Sequence, residues 1–224
     1  MRNDGPKETV RAAVGLVLAG GLGTRLGGVD KPFVELAGRS MCDRVLGQLA
    51  PQVDQIVVSA NAAPERFRAH AVPVIADTIP DHAGPLAGIL AGLRWSATHW
   101  PDARFVASVA ADTPFFPRDL VRALHEARGS DERTIALAAS AAGVHPVFGL
   151  WPVALADDLE AFLRSGANPR VTAFADRHAR VEVPFDDVSM PDGSSVDPFF
   201  NVNTPRDLAC AERIAVALDA AEKP

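Results

Sequence analysis

The stretch from Val14 to Lys31 constrains this chain more than any other. Val14-Gly15-Leu16-Val17-Leu18 is a short apolar run rich in Val and Leu, which reads as a buried strand. Five glycines then fall between Gly20 and Gly28. Glycine accepts positive φ and lets a ligand approach the backbone closely, and successive exposed N–H groups in such a loop form an anion-binding concavity. Arg25 and Lys31 add fixed positive charge, so the stretch reads as a triphosphate site. The common glycine fingerprints do not fit. Gly-x-Gly-x-x-Gly through Gly21 and Gly23 meets Leu26, and Gly28 is followed by Val29 where a P-loop needs Lys. The competing reading is a glycine-rich connector with incidental charges.

A net charge of −6 argues against a nucleic-acid protein, so an anionic ligand must be met by a local cluster of cations. A chain of 224 residues that is 48% hydrophobic is long enough for one sizeable α/β core. The polar segment over residues 1–12 reads as a frayed tail before a single domain at 13–224, with no secretory signal or anchor. No apolar stretch approaches the roughly 20 residues of a membrane span. Cys42 and Cys210 lack metal spacing and read as reduced thiols of a cytoplasmic protein.

Beyond the loop, an extended piece is expected over Lys31–Leu36, then a helix capped by Ser40 and running to Leu49. Strands are expected at Ile56–Ser59, Val72–Ala76, Phe105–Ala110, Thr134–Ala139, His145–Trp151 and Arg180–Phe185. Helices are expected over Pro64–His70, from Gly84-Pro85, from Pro117, from Pro152 to Arg164, over Val171–Arg177 and from Thr204-Pro205. This alternation predicts an α/β fold, a mostly parallel Rossmann-like sheet with helices on both faces. Asn61, Asp77 and Asp112 each fall at or just past a strand's carboxyl end, as the glycine loop does. Ligands of open α/β sheets bind outside those ends, so four stretches converge on one edge.

Asp112 has no packing role after an apolar strand and suits Mg²⁺, which takes one or two carboxylates plus phosphates and waters; the alternative is a helix cap before Pro114. Asp77 and Asn61 read as nucleotide contacts or as turn residues. In Asn201-Val202-Asn203 both amides face one way if the segment is extended, lining an acceptor site or a solvated loop. His145 has no local partner at catalytic spacing and reads as a buried histidine or a ligand contact. The Lys31 charge is expected to stay largely solvated until a ligand arrives. These parts suit nucleotidyl transfer, in which positioning and charge neutralisation carry much of the catalysis. A phosphate acceptor is mostly ionised at neutral pH, so no general base is required.

Leu18-Ala19-Gly20-Gly21 through Asp30-Lys31, Ser59-Ala60-Asn61, Asp77, Gly84-Pro85-Leu86-Ala87-Gly88, Asp112-Thr113-Pro114, His145-Pro146-Val147-Phe148-Gly149-Leu150-Trp151 and Asn201-Val202-Asn203-Thr204-Pro205 together resemble the molybdenum cofactor guanylyltransferases. The resemblance spans nearly the whole chain. It implies GTP as donor, molybdopterin (the molybdenum cofactor) as acceptor and Mg²⁺ as cofactor. It further implies GTP contacts from the backbone at Leu18, Ala19, Gly20 and Gly21, contacts from Lys31, Asn61 and Asp77, and Asp112 on both nucleotide and metal. Arg25 matches the signature arginine expected at the phosphates, while His145, Asn201 and Asn203 are candidates for the acceptor site. The chain departs from the family pattern at Ala110-Ala111, where Pro-Cys is common, and at Ala62, where Arg is common. Rival readings are a CTP-dependent pterin enzyme, a sugar-1-phosphate nucleotidyltransferase and a nucleotide-binding module without catalysis. A monomer with transient contacts to cofactor-handling proteins is expected, without nucleic acid or membrane.

Overall fold

The apolar run after Ala12 lies in the middle of the main sheet. A computed structural model of the protein describes residues 12–20, 25–26, 29–61, 64–79, 84–190 and 192–221, with the backbone alone at 25, 26 and 29. The tail expected over 1–12 lies outside these residues except for Ala12. Seven strands build the sheet: β1 (Ala13–Leu18), β2 (Gln55–Ser59), β3 (Val74–Ile75), β4 (Phe105–Ala110), β5 (Ile135–Ser140), β6 (Gly143–Pro152) and β7 (Arg180–Pro184). Their spatial order is β7-β5-β6-β4-β1-β2-β3. All pairings are parallel except those of β6, which runs antiparallel to both β4 and β5. The expected mostly parallel sheet is therefore present, with one reversed strand. Only Ala141 and Ala142 separate β5 from β6, and a parallel crossover needs a dozen or more residues.

Alternation along β1 sends Ala13 and Val17 to one face and Val14 and Leu16 to the other. On the first face α1 (Met41–Leu49) and α3 (Leu120–Ala127) bring Val45, Leu49, Leu120 and Leu124 against Val17, Val58 and Val109. On the second, α2 (Pro85–His99), α4 (Ala156–Arg164) and α5 (Val171–Ala175) bring Ile89, Leu90, Leu159 and Phe174 against Val14, Leu16 and Val106. Each such buried aliphatic side chain contributes about 1.5–3 kcal/mol. Helix α2 lies close to the sheet because a Cβ at Gly88 would sit 2.6 Å from Leu18 Cδ2, and one at Gly92 2.7 Å from Leu16 Cδ2.

A third cluster forms beside the sheet. The last helix, α6 (Pro205–Ala221), packs Ala211, Ile214 and Ala215 with Leu36, Met41, Phe115 and Val202. Arg44 ties it down: its guanidinium bonds Asp219 at 2.9 and 2.7 Å and the Leu36 carbonyl at 3.1 and 2.7 Å. Both helices of this corner start as their sequences predict. Ser40 and Asp43 form a reciprocal capping box on α1. Thr204 and Asp207 do the same on α6, at 3.2 and 2.8 Å.

Several boundaries differ from expectation. Lys31–Phe33 is a 3₁₀ turn, and a short hairpin pairs Glu35–Leu36 with Arg39–Ser40, so Lys31–Leu36 is not one extended piece. The third strand shrinks to Val74–Ile75, leaving Pro73, which has no N–H to donate, outside it. Pro152 ends β6 rather than opening a helix; a 3₁₀ turn at Val153–Leu155 precedes α4. Helix α3 begins at Leu120, three residues after Pro117. Cys42 is buried and Cys210 partly so, both free, and burial pushes the Cys42 thiol up to about 12.

Candidate active site

The carboxyl ends of β1, β2, β4, β5 and β7 share one edge of the sheet, and β6 starts there because it is reversed. The edge is stitched by backbone bonds beyond the strands. Ala19 N–H donates to the Ser59 carbonyl (2.9 Å), Ala111 N–H to that of Leu18 (3.1 Å) and Ala60 N–H to that of Ile75 (2.9 Å). Leu18, Ala19 and Gly20 therefore leave β1 between the ends of β2 and β4. Gly21 and the side chain of Arg25 lie outside the described residues. The Arg25 backbone belongs to a small hairpin in which Arg25–Leu26 pairs with Val29–Asp30.

On the β2–β3 side, Asn61 and Asp77 hold each other. Asn61 Nδ2 donates to Asp77 Oδ2 at 2.7 Å, and Asp77 N–H donates back to Asn61 Oδ1 at 2.9 Å. Ser59 Oγ donates to Asp77 Oδ1 at 3.4 Å. A Cβ on Gly20 would stand 3.9 Å from Asn61 Nδ2, which places the loop's start beside this pair.

At the end of β4, Asp112 meets Lys31. Lys31 Nζ lies 3.4 Å from Asp112 Oδ2 and also donates to Asn203 Oδ1. The Lys31 side chain is only 12% exposed and that of Asp112 25%, so the expectation of a largely solvated lysine is corrected. The 3₁₀ turn at Lys31–Phe33 directs the side chain toward β4 rather than outward. The helix-cap reading of Asp112 also fails, because the next helix starts at Leu120 and its N-cap is Asp119.

The segment 197–203 crosses this edge as a strap. Val202 is fully buried and its N–H donates to the Asp112 carbonyl at 2.9 Å. Asn201 and Asn203, on either side of it, are exposed and turn to the site. Asn201 Oδ1 accepts from Thr113 Oγ1 at 2.5 Å, while Asn203 reaches Lys31. The two amides thus flank Asp112.

At the far end of the strap the structure supplies partners for His145 that its local sequence lacks. Ser140 Oγ lies 2.7 Å from both His145 Nε2 and Asp197 Oδ2, and Phe199 stacks on the imidazole with centroids 4.4 Å apart. Burial pushes the His145 pKa below the ordinary histidine value against the opposing pull of Asp197. Downstream of His145 the β5–β6 register shifts between His145 and Gly149, a stretch that includes Pro146, which has no N–H for the ladder. Buried Ser108 serves the bulge: it donates to the Val147 carbonyl (2.6 Å) and accepts from Trp151 Nε1 (2.8 Å). Ser140, Asp197 and Phe199 were not readable as site residues. Only the neighbouring Asn201-Val202-Asn203 drew attention to that part of the chain.

The Asn61–Asp77 pair thus stands on one side of the Lys31–Asp112 pair, and the strap with His145 on the other. The MobA-like NTP transferase domain family matches residues 15–181, a span that contains the loop, Lys31, Asn61, Asp77, Asp112 and His145. The chain belongs to this family. It is 48% identical over 212 residues to a molybdenum cofactor guanylyltransferase of Bradyrhizobium sp. (strain ORS 278), covering 95% of this chain and 97% of that one. It is similar to the crystal structure of molybdopterin-guanine dinucleotide biosynthesis protein A from Archaeoglobus fulgidus, with TM-score 0.66, 25% identity, and coverage of 91% and 98%. The same fold recurs in 4-diphosphocytidyl-2C-methyl-D-erythritol synthase from Anaerococcus prevotii, at TM-score 0.66, 12% identity, and coverage of 90% and 95%. The chain is accordingly a nucleotidyltransferase of molybdenum cofactor biosynthesis. Asp197, Phe199, Asn201 and Asn203 fall beyond the matched span, so their place in the site rests on the tertiary structure.

Proposed function

We propose that this MobA-like transferase moves GMP from GTP to molybdopterin with release of pyrophosphate, forming the guanine dinucleotide form of the cofactor. The observation that carries the reading is the Lys31–Asp112 pair, with Asn61–Asp77 on one side and His145, Asn201 and Asn203 on the other. An NTP whose phosphates meet the backbone at Leu18, Ala19, Gly20 and Gly21 would lay its nucleoside toward Asn61 and Asp77. Its α-phosphate would then face the strap, where an acceptor phosphate can attack it. Arg25 and Lys31 would offset the charge of the phosphates.

Mg²⁺ is the proposed cofactor. Among the described residues no group of three or more His, Cys, Asp or Glu could hold a metal ion by itself. A single carboxylate is nevertheless what Mg²⁺ uses when substrate phosphates and waters complete its octahedron, so Asp112 fits. Bound there, the ion would neutralise charge on the departing pyrophosphate. Lys31 would exchange Asp112 for a phosphate oxygen, and Asn203 would keep its ammonium group oriented.

Among the described residues no helix is long and apolar enough to cross a membrane, and we place the reaction in the cytoplasm. The decisive experiment incubates the protein with molybdopterin, Mg²⁺ and each NTP in turn and scores the products by mass. The expected product carries GMP. Equal or better turnover with CTP would move the protein to the cytidylyl branch, and turnover with a sugar phosphate would discard the pterin. Absence of nucleotide-dependent pyrophosphate release would leave a binding module.

A further inference from the structure

The group around His145 contains a directional hydrogen-bond chain that nucleotidyl transfer as described above does not use. A hydroxyl has one proton and two lone pairs. Carboxylates only accept, so the Ser140 proton goes to Asp197 Oδ2 at 2.7 Å. The Ser140 lone pairs then accept Ala142 N–H at 3.2 Å and His145 Nε2 at 2.7 Å, which requires the imidazole proton on Nε2. A neutral imidazole protonated at Nε2 carries its lone pair on Nδ1. Nδ1 has no protein partner among the described residues, and the side chain is 20% exposed.

The ring is also held mechanically. Phe199 stacks on it, and Phe148 and Phe185 pack on Phe199 at 4.9 and 5.6 Å. Asp197 closes the arrangement by accepting Phe199 N–H on Oδ1 at 2.8 Å. One carboxylate therefore sets the histidine tautomer through Ser140 and places the aromatic ring that covers the histidine. The same strap reaches Asp112 at Val202, and the three Cα–Cα steps from Phe199 to Val202 span at most about 11 Å.

We infer that Asp197 and Ser140 are positioning residues that lock His145 in its Nε2–H form, so that Nδ1 accepts a ring N–H of the acceptor pterin. This rests on the reading that the acceptor is a pterin, a heterocycle rich in N–H donors and therefore matched to a fixed hydrogen-bond acceptor. Asp197→Asn tests the direction of the chain. Its amide oxygen must stay on Phe199 N–H, because an amide nitrogen there would oppose a donor. Its NH₂ then faces Ser140 and reverses the hydroxyl. Ser140 would donate to Nε2, and His145 would carry its proton on Nδ1.

The tautomer is read by ¹⁵N NMR of the histidine ring in the whole chain without ligands. The expected result is Nε2–H in the parent protein, Nδ1–H in Asp197→Asn and a mixture in Ser140→Ala. In steady-state assays both variants should raise KM for molybdopterin about tenfold, with KM for GTP and kcat at saturating acceptor within about twofold. Ser140→Thr, which keeps the hydroxyl, should restore both readouts. A parent protein with Nδ1–H would overturn the chain itself. An unchanged KM for molybdopterin in variants with altered tautomers would overturn its role in acceptor binding. A parent protein that does not use molybdopterin would overturn the pterin reading and the contact built on it, while the tautomer result would still judge the chain.

Discussion

Lys31 and Asp112, 81 residues apart, meet at 3.4 Å where the turn after the glycine loop faces the end of β4. The pair joins the turn after the glycine loop to the strap, because Asn203 shares the ammonium group and the Asp112 carbonyl holds Val202. Lys31 thus offsets the negative charge of the Asp112 carboxylate.

Asp112→Asn should lose turnover far more than nucleotide binding. Asn keeps the size and one acceptor oxygen but not the negative charge, while on the proposed reading the loop backbone and Lys31 would still attract GTP. A fall of about 100-fold or more in single-turnover rate is expected, with a higher Mg²⁺ midpoint. GTP affinity and rate across a Mg²⁺ titration check this; an unchanged midpoint and rate would move the metal to Asp77.

Lys31→Ala should weaken phosphate handling and cost some stability. The pair is partly buried, so its loss is expected to cost about 1 kcal/mol, with a Tm decrease of about 2–4 °C for a chain of this size. KM for GTP should rise about tenfold. Calorimetry and steady-state kinetics read the two effects separately, and normal affinity with normal turnover would refute the role.

Ser108→Ala should destabilise the molecule. It leaves the Trp151 indole N–H and the Val147 carbonyl without their partner inside the sheet, a loss of about 1–3 kcal/mol. Urea unfolding should show a lower midpoint with an unchanged slope. A midpoint equal to the parent's would mean that the bulge holds itself.

Stability should fall on mild acidification. Burial is the first cause that lowers the pKa values of His125, His145 and His178, so the folded state binds fewer protons than the unfolded one near the free-histidine value of about 6.5. Their contribution is present above that pH and is lost as pH drops through it toward the folded values. The lowered carboxyl group of Asp43, held chiefly by its Ser40 hydrogen bond, acts only further down, below about pH 4. Urea midpoints at pH 7.5 and 5.5 test this, with the lower value expected at 5.5.

Much of the fold was legible in local pattern. Short apolar runs such as Val14–Leu18 and Phe105–Ala110 became the strands, and Ser40 and Thr204 capped the helices they were expected to cap. Asp77 and Asp112 were legible as edge residues because apolar runs end immediately before them. The reversal of β6 was also within reach, since the gap between the two expected strands was too short for a parallel crossover. The 3₁₀ turn at Lys31 and the late start of α3 were not, because proline suits both a helix start and a turn.

The sequence by itself determined the order of elements, the two apolar faces of the sheet and the loop that reads as a phosphate site, since all of these depend on neighbours a few residues apart. Only the tertiary structure decided which polar group meets which. Asn61 with Asp77, Lys31 with Asn203, and Ser140 with Asp197 are separated by 16, 172 and 57 residues. A side chain with one or two hydrogen-bonding atoms carries no periodic signal. Its partner is chosen when the packing of α6 against Leu36, Phe115 and Val202 draws the strap across the sheet's edge.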